Sequence, residues 1–335
     1  MIRAAIVGIG TWGQRLVSSV QGESDAIRFV AGATGTPSKV LDFSKKLNFR
    51  LEKNYEDLLK DPAVDAVVLA TPHSMHCAQI VAAAHAGKHV FVEKPLGLER
   101  EAAERAIAAC AAKNVVLAVG YNWRFQPALR EIKAMLGDGR LGKLLHMEGN
   151  FCGPSALRFK REHWRQDRDE APAGGMTGRG VHVVDAMLYL AGRVETVVAQ
   201  SRRLVHDFGV DDTTSMLFGF RGGPTGYLGT VIATAETWRL QVFGSKGWAE
   251  VGDVEHLNTW DLRLSLLDEM DLLKKKRPET IKFPQVSTER AELEHFARAC
   301  AERRPLALPG GDEAHGVAVL DAIVRSAREG ALVSL

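Results

Sequence analysis

The stretch AAIVGIGTWGQRLV, residues 4–17, decides the fold of the first part of the chain. An apolar run ends in a glycine turn, and a helical pattern follows. The three glycines are spaced G-x-G-x-x-G, which permits a tight turn, close approach of a pyrophosphate to the backbone, and close packing of helix on strand. We predict a dinucleotide site here, and the alternative is a tight turn that binds nothing. The predicted cofactor residues of this stretch are Gly8, Gly10, Thr11, Trp12 and Gly13.

Length and composition limit the classes of protein that fit. The chain has 335 residues, enough for two domains, because single hydrophobic cores stop growing near ~250–300 residues. A net charge of +2 supplies no basic field for nucleic acid, so we expect no nucleic-acid partner. No apolar run approaches the ~20 residues of a membrane helix, and the first residues indicate a strand rather than a leader. We therefore expect a cytoplasmic protein with no membrane contact.

The four cysteines are far apart in the sequence and have no zinc-site spacing. We interpret them as reduced thiols, which agrees with a cytoplasmic location. The cluster TPHSMHC, residues 71–77, has two histidines and a cysteine, but no acidic ligand lies close in sequence. We expect no metal site.

The first 120 residues alternate between short β-branched runs and Ala-rich helical segments. Near-continuous apolar strands that alternate with helices are typical of a parallel sheet covered on both faces. We predict an α/β Rossmann domain, a doubly wound parallel sheet, over residues 1–121.

Residues 122–335 have a different pattern, with longer alternating segments and hairpin-like glycines. This pattern indicates a second α/β domain built on a large, mostly antiparallel open sheet. Four helices are predicted in it, over 125–142, 178–192, 288–302 and 311–330.

The end of the second strand bears on the choice of cofactor. An acidic residue about 20 positions after the glycine turn would bind the ribose of NAD. Thr34 occupies that position, and no carboxylate is near it. Hydroxyl groups and one cation suit a 2′-phosphate, so NADP is favoured over NAD, although hydroxyls can serve either. The alternative is a loop in which Ser38 is the N-cap of the next helix. The selecting residues would be Thr34, Thr36, Ser38 and Lys39.

The stretch AGKHVFVEKPLGLE, residues 86–99, is the most specific in the chain. Together with the glycine turn, TPHSMHC and GYNWRFQPALREIK, it resembles the Gfo/Idh/MocA family of NAD(P)-dependent oxidoreductases. The resemblance covers nearly the whole chain and is strongest up to about residue 130. It implies that Lys94 lies beside the nicotinamide and the substrate.

The same resemblance implies a D-x-x-x-H-x-x-D pattern on a helix of the second domain. It places His182 and Asp185 one helical turn apart. The first position of the pattern is Gly178 and not Asp, which implies a different substrate hydroxyl pattern, a rewired proton relay or weakened activity.

The chemistry explains these residue types. Oxidation of a secondary alcohol releases a hydride and a proton, and histidine exchanges protons near neutral pH. We therefore assign His182 to proton transfer. An unshifted lysine is a cation, so Lys94 polarises the carbonyl oxygen and is a partner in the relay. Asp185 orients the histidine or contacts the substrate.

We predict further site residues around a cleft between the domains, some from the family resemblance and others, such as His163 and Arg179, as candidates without independent support; Asn122 and Arg124 line the cleft or fix the hinge. The additional cofactor residues are Thr71, Pro72, His73, His76, Glu93, Lys94, Asn122, Trp164 and Arg165. The substrate residues are Lys94, Arg124, His163, Arg179 and His182.

The implied function is hydride transfer to or from a sugar, polyol or related hydroxylated ring, a small-molecule substrate. There are two alternatives: the protein is a reductase of a non-sugar carbonyl or imine, or it is a nucleotide-binding regulator without turnover. The family also implies a homodimer or homotetramer formed through the open sheet.

Overall fold

The computed structural model describes residues 1–257, 259, 261–268, 270–306 and 313–335. Contacts between Cα atoms divide the chain into two compact units. Unit 1 comprises Met1–Asn122 and Ser287–Ala307, and unit 2 comprises Trp123–Val286 and Leu308–Leu335. Within the described ranges, every helix is too short or too polar to pass through a lipid bilayer.

Unit 1 contains a six-stranded sheet in which every strand is parallel to its neighbours, in the order β3-β2-β1-β4-β5-β6. Its strands are nearly all apolar and buried, as expected for a sheet covered on both faces. The doubly wound parallel fold predicted from the sequence is confirmed. The strands are β1 Ile2–Val7, β2 Ile27–Ala33, β3 Arg50–Leu51, β4 Ala66–Leu69, β5 His89–Glu93 and β6 Leu117–Gly120.

Helices connect these strands and bury their apolar sides on the sheet. They are α1 Thr11–Val20, α2 Leu41–Lys46, α3 Tyr55–Lys60, α4 His76–His85 and α5 Arg100–Ala112. A sixth helix of unit 1, α9 Thr288–Glu302, comes from the distant second segment of the chain.

Helix α9 departs from the predicted domain division. The sequence analysis placed all of residues 122–335 in the second domain, whereas α9 packs in unit 1. Its residues Leu293 and Phe296 are fully buried in the core of unit 1, and the ring of Phe296 lies 5.8 Å from that of Phe91. Apolar burial on the parallel sheet therefore determines where α9 belongs.

Unit 2 contains a nine-stranded sheet in the order β14-β13-β12-β11-β7-β10-β9-β8-β15. All its strand pairs are antiparallel except β10 with β7, so the predicted mostly antiparallel sheet is confirmed. The strands are β7 Leu144–Cys152, β8 Val194–Arg202, β9 Thr213–Phe220, β10 Thr225–Val231, β11 Thr237–Gly244, β12 Gly247–Asp253, β13 Leu262–Leu266, β14 Glu279–Ile281 and β15 Val333–Ser334.

The helices of unit 2 are α6 Pro127–Gly137, α7 Ser155–Arg158, α8 Val181–Ala191 and α10 Glu313–Glu329. A five-residue π-helix, Met176–Gly180, runs directly into α8. The predicted helix over 288–302 matches α9, and the one over 178–192 matches the π-helix together with α8. The predicted start of the last helix, at residues 311 and 312, lies outside the described residues.

Candidate functional site

The glycine turn after β1 packs tightly at two positions and is open at a third. Gly8 has φ +88°, and a Cβ there would lie 2.5 Å from the carbonyl oxygen of Ala70. A Cβ on Gly13 would collide with the carbonyl oxygen of Gly8. A Cβ on Gly10 would meet no heavy atom of the described residues within 4 Å, its chain neighbours aside. The fold requires the first and third glycines, and the space at Gly10 fits a pyrophosphate at the helix N-terminus.

The loop after β2 carries the residues predicted to select the cofactor. Thr34 is half-buried, and Thr36, Ser38 and Lys39 are exposed. Their side chains supply hydroxyl groups and one ammonium group. The alternative role of Ser38 as a helix N-cap is wrong, because Pro37–Lys39 form a 3-10 turn and α2 begins only at Leu41.

Lys94 directly follows β5, at the carboxyl edge of the parallel sheet, and is half-buried. The preceding Glu93 is only 6% exposed, and its Oε2 accepts a hydrogen bond of 3.3 Å from the backbone N–H of Lys94. Burial raises the pKa of Glu93 to about 7, although the charge of Lys94 opposes the rise. Glu93 was predicted to bind the cofactor, but its carboxyl group faces the interior of unit 1.

His76 fixes the backbone beyond Lys94. Its Nδ1 lies 2.8 Å from the carbonyl oxygen of Pro95, and its Nε2 lies 3.0 Å from that of Thr71. Carbonyl oxygens only accept hydrogen bonds, so both bonds form together only in the imidazolium form. The His76 ring therefore connects the loop after β4 to the turn that carries Lys94. The predicted cofactor residues of that loop, at the same sheet edge, are Thr71, Pro72, His73 and His76.

Asn122, another predicted cofactor residue, follows β6 at this edge and is buried. Its Nδ2 donates a hydrogen bond of 3.2 Å to Oγ1 of Thr288, the first residue of α9. The neighbouring Glu289 is also buried and forms an ion pair of 2.5 Å with Arg15. Neither α9 residue was predicted, because nothing in the local sequence pairs residue 289 with residue 15.

In unit 2, His182 lies in the first turn of α8 among aromatic rings. The Trp123 ring stacks on it with centroids 5.2 Å apart and planes 21° apart, and the Phe151 ring lies 6.2 Å away. His182 is 7% exposed. These aromatic contacts restrict the orientation and the position of the His182 imidazole ring. The sequence analysis missed the roles of Trp123 and Phe151, since both have the appearance of ordinary core residues.

Asp185, one turn further along α8, is held by Arg124. The guanidinium donates three hydrogen bonds of 2.6–3.0 Å to the two carboxylate oxygens. The side chains are only 10% and 4% exposed. Burial raises the pKa of Asp185, and the charge of Arg124 acts in the opposite direction. Both oxygens are therefore occupied by Arg124, which fits an orienting role for Asp185 better than proton transfer.

Arg179 and Gly178 lie in the π-helix before α8. Nη1 of Arg179 donates to Oε1 of Glu236 at 2.5 Å and to the Cys152 carbonyl oxygen at 3.0 Å. Glu236 was not predicted. A Cβ on Gly178 would meet nothing within 4 Å in the described part of the chain, so a side chain fits there. The proposed substrate roles of Arg124 and Arg179 stay predictions, and both guanidinium groups contact carboxylates of unit 2.

The loop before the π-helix holds the other predicted residues of unit 2. The Arg165 guanidinium lies 4.1 Å from the centroid of the Trp164 ring. Nδ1 of His163 accepts a hydrogen bond of 3.1 Å from the backbone N–H of Arg165. Burial, and secondarily the charge of Arg165, lower the pKa of His163. His163 is therefore neutral near pH 7, with its proton on Nε2.

Two family models match the chain. The model described as an oxidoreductase family with an NAD-binding Rossmann fold matches residues 2–121. The model of the GFO/IDH/MocA C-terminal domain matches residues 129–250. Together they cover most of both units.

Individual relatives give the same result. The chain is 30% identical over 228 residues to trans-1,2-dihydrobenzene-1,2-diol dehydrogenase of Sus scrofa, a match that spans 67% of this chain and 66%, just under two thirds, of that relative. It is 29% identical over 265 residues to myo-inositol 2-dehydrogenase of Thermotoga maritima, covering 73% and 74% of the two chains. The structure of aldose-aldose oxidoreductase from Caulobacter crescentus superposes with a TM-score of 0.88 at 27% identity, over 100% of this chain and 99% of that one.

Proposed function

Because the chain belongs to the Gfo/Idh/MocA family of NAD-binding oxidoreductases, we propose that it is an NAD(P)-dependent dehydrogenase. It transfers hydride between nicotinamide and a secondary alcohol or carbonyl carbon of a sugar, polyol or related hydroxylated ring. The observation that carries the proposal is the carboxyl edge of the parallel sheet, where the turn open at Gly10 follows β1 and Lys94 follows β5. Ligands of doubly wound sheets bind at this edge.

The proposed roles of the chain's own residues follow from their chemistry. The chemistry that a bound nicotinamide supplies is hydride transfer. Lys94 presents an ammonium group that polarises the substrate oxygen, and His182 exchanges the proton. Asp185, bound by Arg124, holds the helix turn that carries His182.

The test is an assay of hydride transfer over a panel of polyols, aldoses and non-sugar carbonyls and imines. Lys94→Met is expected to lower kcat about 100-fold or more and to leave NADPH affinity within about threefold. Lys113→Met, an exposed lysine at the end of α5, is the control and should leave both unchanged. Turnover that survives in Lys94→Met would contradict the role of Lys94. NADPH binding without turnover of any panel member would favour the regulator alternative.

We also propose that the cofactor is NADP rather than NAD. Support comes from the loop after β2, where Thr34 stands in place of an acid and Lys39 is exposed. In fluorescence titrations, the dissociation constant of NADPH should be at least about tenfold lower than that of NADH. Thr34→Asp should reverse that order, and Lys46→Glu, on the exposed side of α2, should not. Tighter NADH binding by the wild-type chain would overturn the proposal.

We further propose a homodimer or homotetramer formed through the sheet of unit 2. On the sheet face that holds Val198, Leu217 and Tyr227, these side chains pair across β8, β9 and β10 and are 38%, 55% and 39% exposed. The same row continues into a ladder of Glu148, Glu250, Arg239 and Arg263, joined by ion pairs of 2.6–3.5 Å. An apolar patch beside charges of both signs is complementary to a second copy rotated by 180°.

The oligomer proposal is tested by light scattering on a sizing column. Leu217→Glu is expected to lower the molar mass to that of one chain. Leu204→Glu, at a still more exposed leucine in a loop of unit 2, is the control and should leave the mass unchanged. A mass that Leu217→Glu does not change would contradict the proposed interface.

A cytoplasmic location is proposed on the cysteines alone. All four lie within the described residues, and none is in a disulfide. Cysteines outside any disulfide at three buried positions, Cys110, Cys152 and Cys300, suit a reducing compartment.

A further inference from the structure

Glu93 has a place in the structure that its predicted role as a cofactor residue does not explain. Glutamate is seldom fully buried without an ion pair or a full set of hydrogen bonds. Yet Glu93 is 6% exposed, and its Oε1 has no hydrogen-bond partner among the described residues. Its other oxygen accepts a long bond from the Lys94 backbone N–H. A buried carboxyl group in this setting needs a functional explanation.

The surroundings of Glu93 contain few atoms that could stabilise a negative charge. A Cβ on Gly120, at the end of β6, would lie 2.8 Å from Oε1, so the neighbouring strand closes over the carboxyl group. On α9, the buried carboxylate of Glu289 repels a negative charge on Glu93, and Glu289 itself is paired with Arg15. Ionisation of Glu93 is favoured first by the positive charge of Lys94, and then by the N–H groups of the Trp12 side chain and the Lys94 backbone.

We propose that Glu93 is a positioning residue that sets the charge of Lys94. Ionised Glu93 keeps Lys94 as an ammonium, and protonated Glu93 lets Lys94 release its proton more easily. The two groups are adjacent in sequence, at the edge where β5 ends. Coupling between two titrating groups is reciprocal. The ammonium form of Lys94 stabilises ionised Glu93, and ionised Glu93 stabilises that ammonium form to the same extent.

The charge on Glu93 changes in a useful pH range. Burial raises the pKa of Glu93 to about 7. The positive charge of Lys94 opposes this rise, and the negative charge of Glu289 adds to it. A further titratable group at this turn is His76, which contacts the Pro95 carbonyl oxygen from α4. Because Glu93 titrates near neutral pH, its charge changes there, and the affinity of Lys94 for its proton changes with it.

The first experiment measures Lys94 directly and needs neither cofactor nor substrate. The rate at which an amine-reactive ester modifies Lys94 is followed against pH by peptide mass spectrometry, in wild type and in Glu93→Gln. Glutamine keeps the volume and an acceptor for the Lys94 N–H but removes the charge. The titration midpoint of Lys94 is expected to fall by about one pH unit, which raises the rate about tenfold below the midpoint.

The matched control is Asp65→Asn. Asp65 is a partly buried acid of the same sheet, bound to Arg3 before β4 begins and therefore at the opposite, amino edge. It should leave the Lys94 midpoint unchanged. An unchanged midpoint in Glu93→Gln, or an equal fall in Asp65→Asn, would overturn the proposal.

The second experiment keeps Glu93 and so remains decisive where Glu93→Gln does not fold. Infrared titration follows the carbonyl stretch of the protonated carboxyl group in wild type and in Lys94→Met. The midpoint is expected to rise when the lysine charge is removed, and an unchanged midpoint contradicts the coupling. The inference rests on the proposed function only for its effect on turnover. A chain without dehydrogenase activity can still show the coupling, so the two failures are distinguishable.

Discussion

Replacement of Gly10 by alanine separates what the fold requires from what the cofactor requires. Gly10 has φ −77° and ψ −170°, a conformation open to any residue, and a Cβ there meets no described atom within 4 Å. Alanine at the N-cap costs up to about 1 kcal/mol, and the reduced entropy of the unfolded chain returns about 0.4–1 kcal/mol. The free energy of unfolding should therefore stay within about 0.5 kcal/mol of wild type.

The effect on cofactor binding should be much larger. The added methyl group occupies the space through which a pyrophosphate approaches the backbone, so the dissociation constant of NADPH should rise at least about tenfold, or ~1.4 kcal/mol. Urea unfolding gives the first quantity and fluorescence titration the second.

The contrasting variant is Gly13→Ala, where the Cβ collides with the carbonyl oxygen of Gly8. Backbone atoms cannot move aside cheaply, so this variant should lose about 1–3 kcal/mol of stability. NADPH binding by Gly10→Ala within twofold of wild type would refute the reasoning that this space holds the pyrophosphate. Equal stability of Gly13→Ala would refute the packing argument.

Three further predictions concern individual side chains. Asp185→Asn leaves the Arg124 guanidinium buried without its anion and should lower the free energy of unfolding, measured in urea, by about 3–5 kcal/mol. The double variant with Arg124→Met and Asp185→Leu should recover much of that loss, and a loss below about 1 kcal/mol in Asp185→Asn would contradict this. Gly178→Asp should fold with about 0.3–1 kcal/mol more stability, because the position is open and precedes the α8 N-terminus, and a loss of stability in urea would argue against the open site. The pKa of Glu93 rises from 4.5 to about 7 on folding, so between these pH values the native chain binds one proton that the unfolded chain releases. The free energy of unfolding therefore falls as pH rises, by up to ~1.4 kcal/mol per pH unit, and Glu93→Gln should remove that slope from unfolding curves measured between pH 5 and 7.

The parallel sheet of unit 1 is the feature that the sequence predicts best, for a physical reason. Each strand pairs through a crossover of one helix, so the pattern of buried strand and amphipathic helix is local in sequence. Helix α9 shows the limit of that reasoning. Its own periodicity predicts a helix at 288–302, but the sheet on which it packs depends on contacts with Phe91 and Arg15 from the first hundred residues.

The candidate site divides in the same way. Lys94 and His182 were predicted because their motifs are contiguous, with a strand end for one and a glycine-rich approach for the other. The partners of charged residues were not predicted. Arg124 and Asp185 were both assigned to chemistry, although each binds the other, because a sequence shows charges and not their pairing. Glu93 was assigned to the cofactor for the same reason, since its burial depends on Gly120 and α9.

The two units thus hold their titrating groups in opposite ways. In unit 2 the carboxylate of Asp185 is paired with Arg124, whose guanidinium cannot lose its proton. In unit 1 the charge of Glu93 changes with pH and acts on the adjacent Lys94. A positive charge beside a substrate oxygen stabilises electron density on that oxygen. In the proposed reaction, ionised Glu93 therefore assists reduction of a carbonyl group by favouring the ammonium form of Lys94, and protonated Glu93 gives less of that assistance.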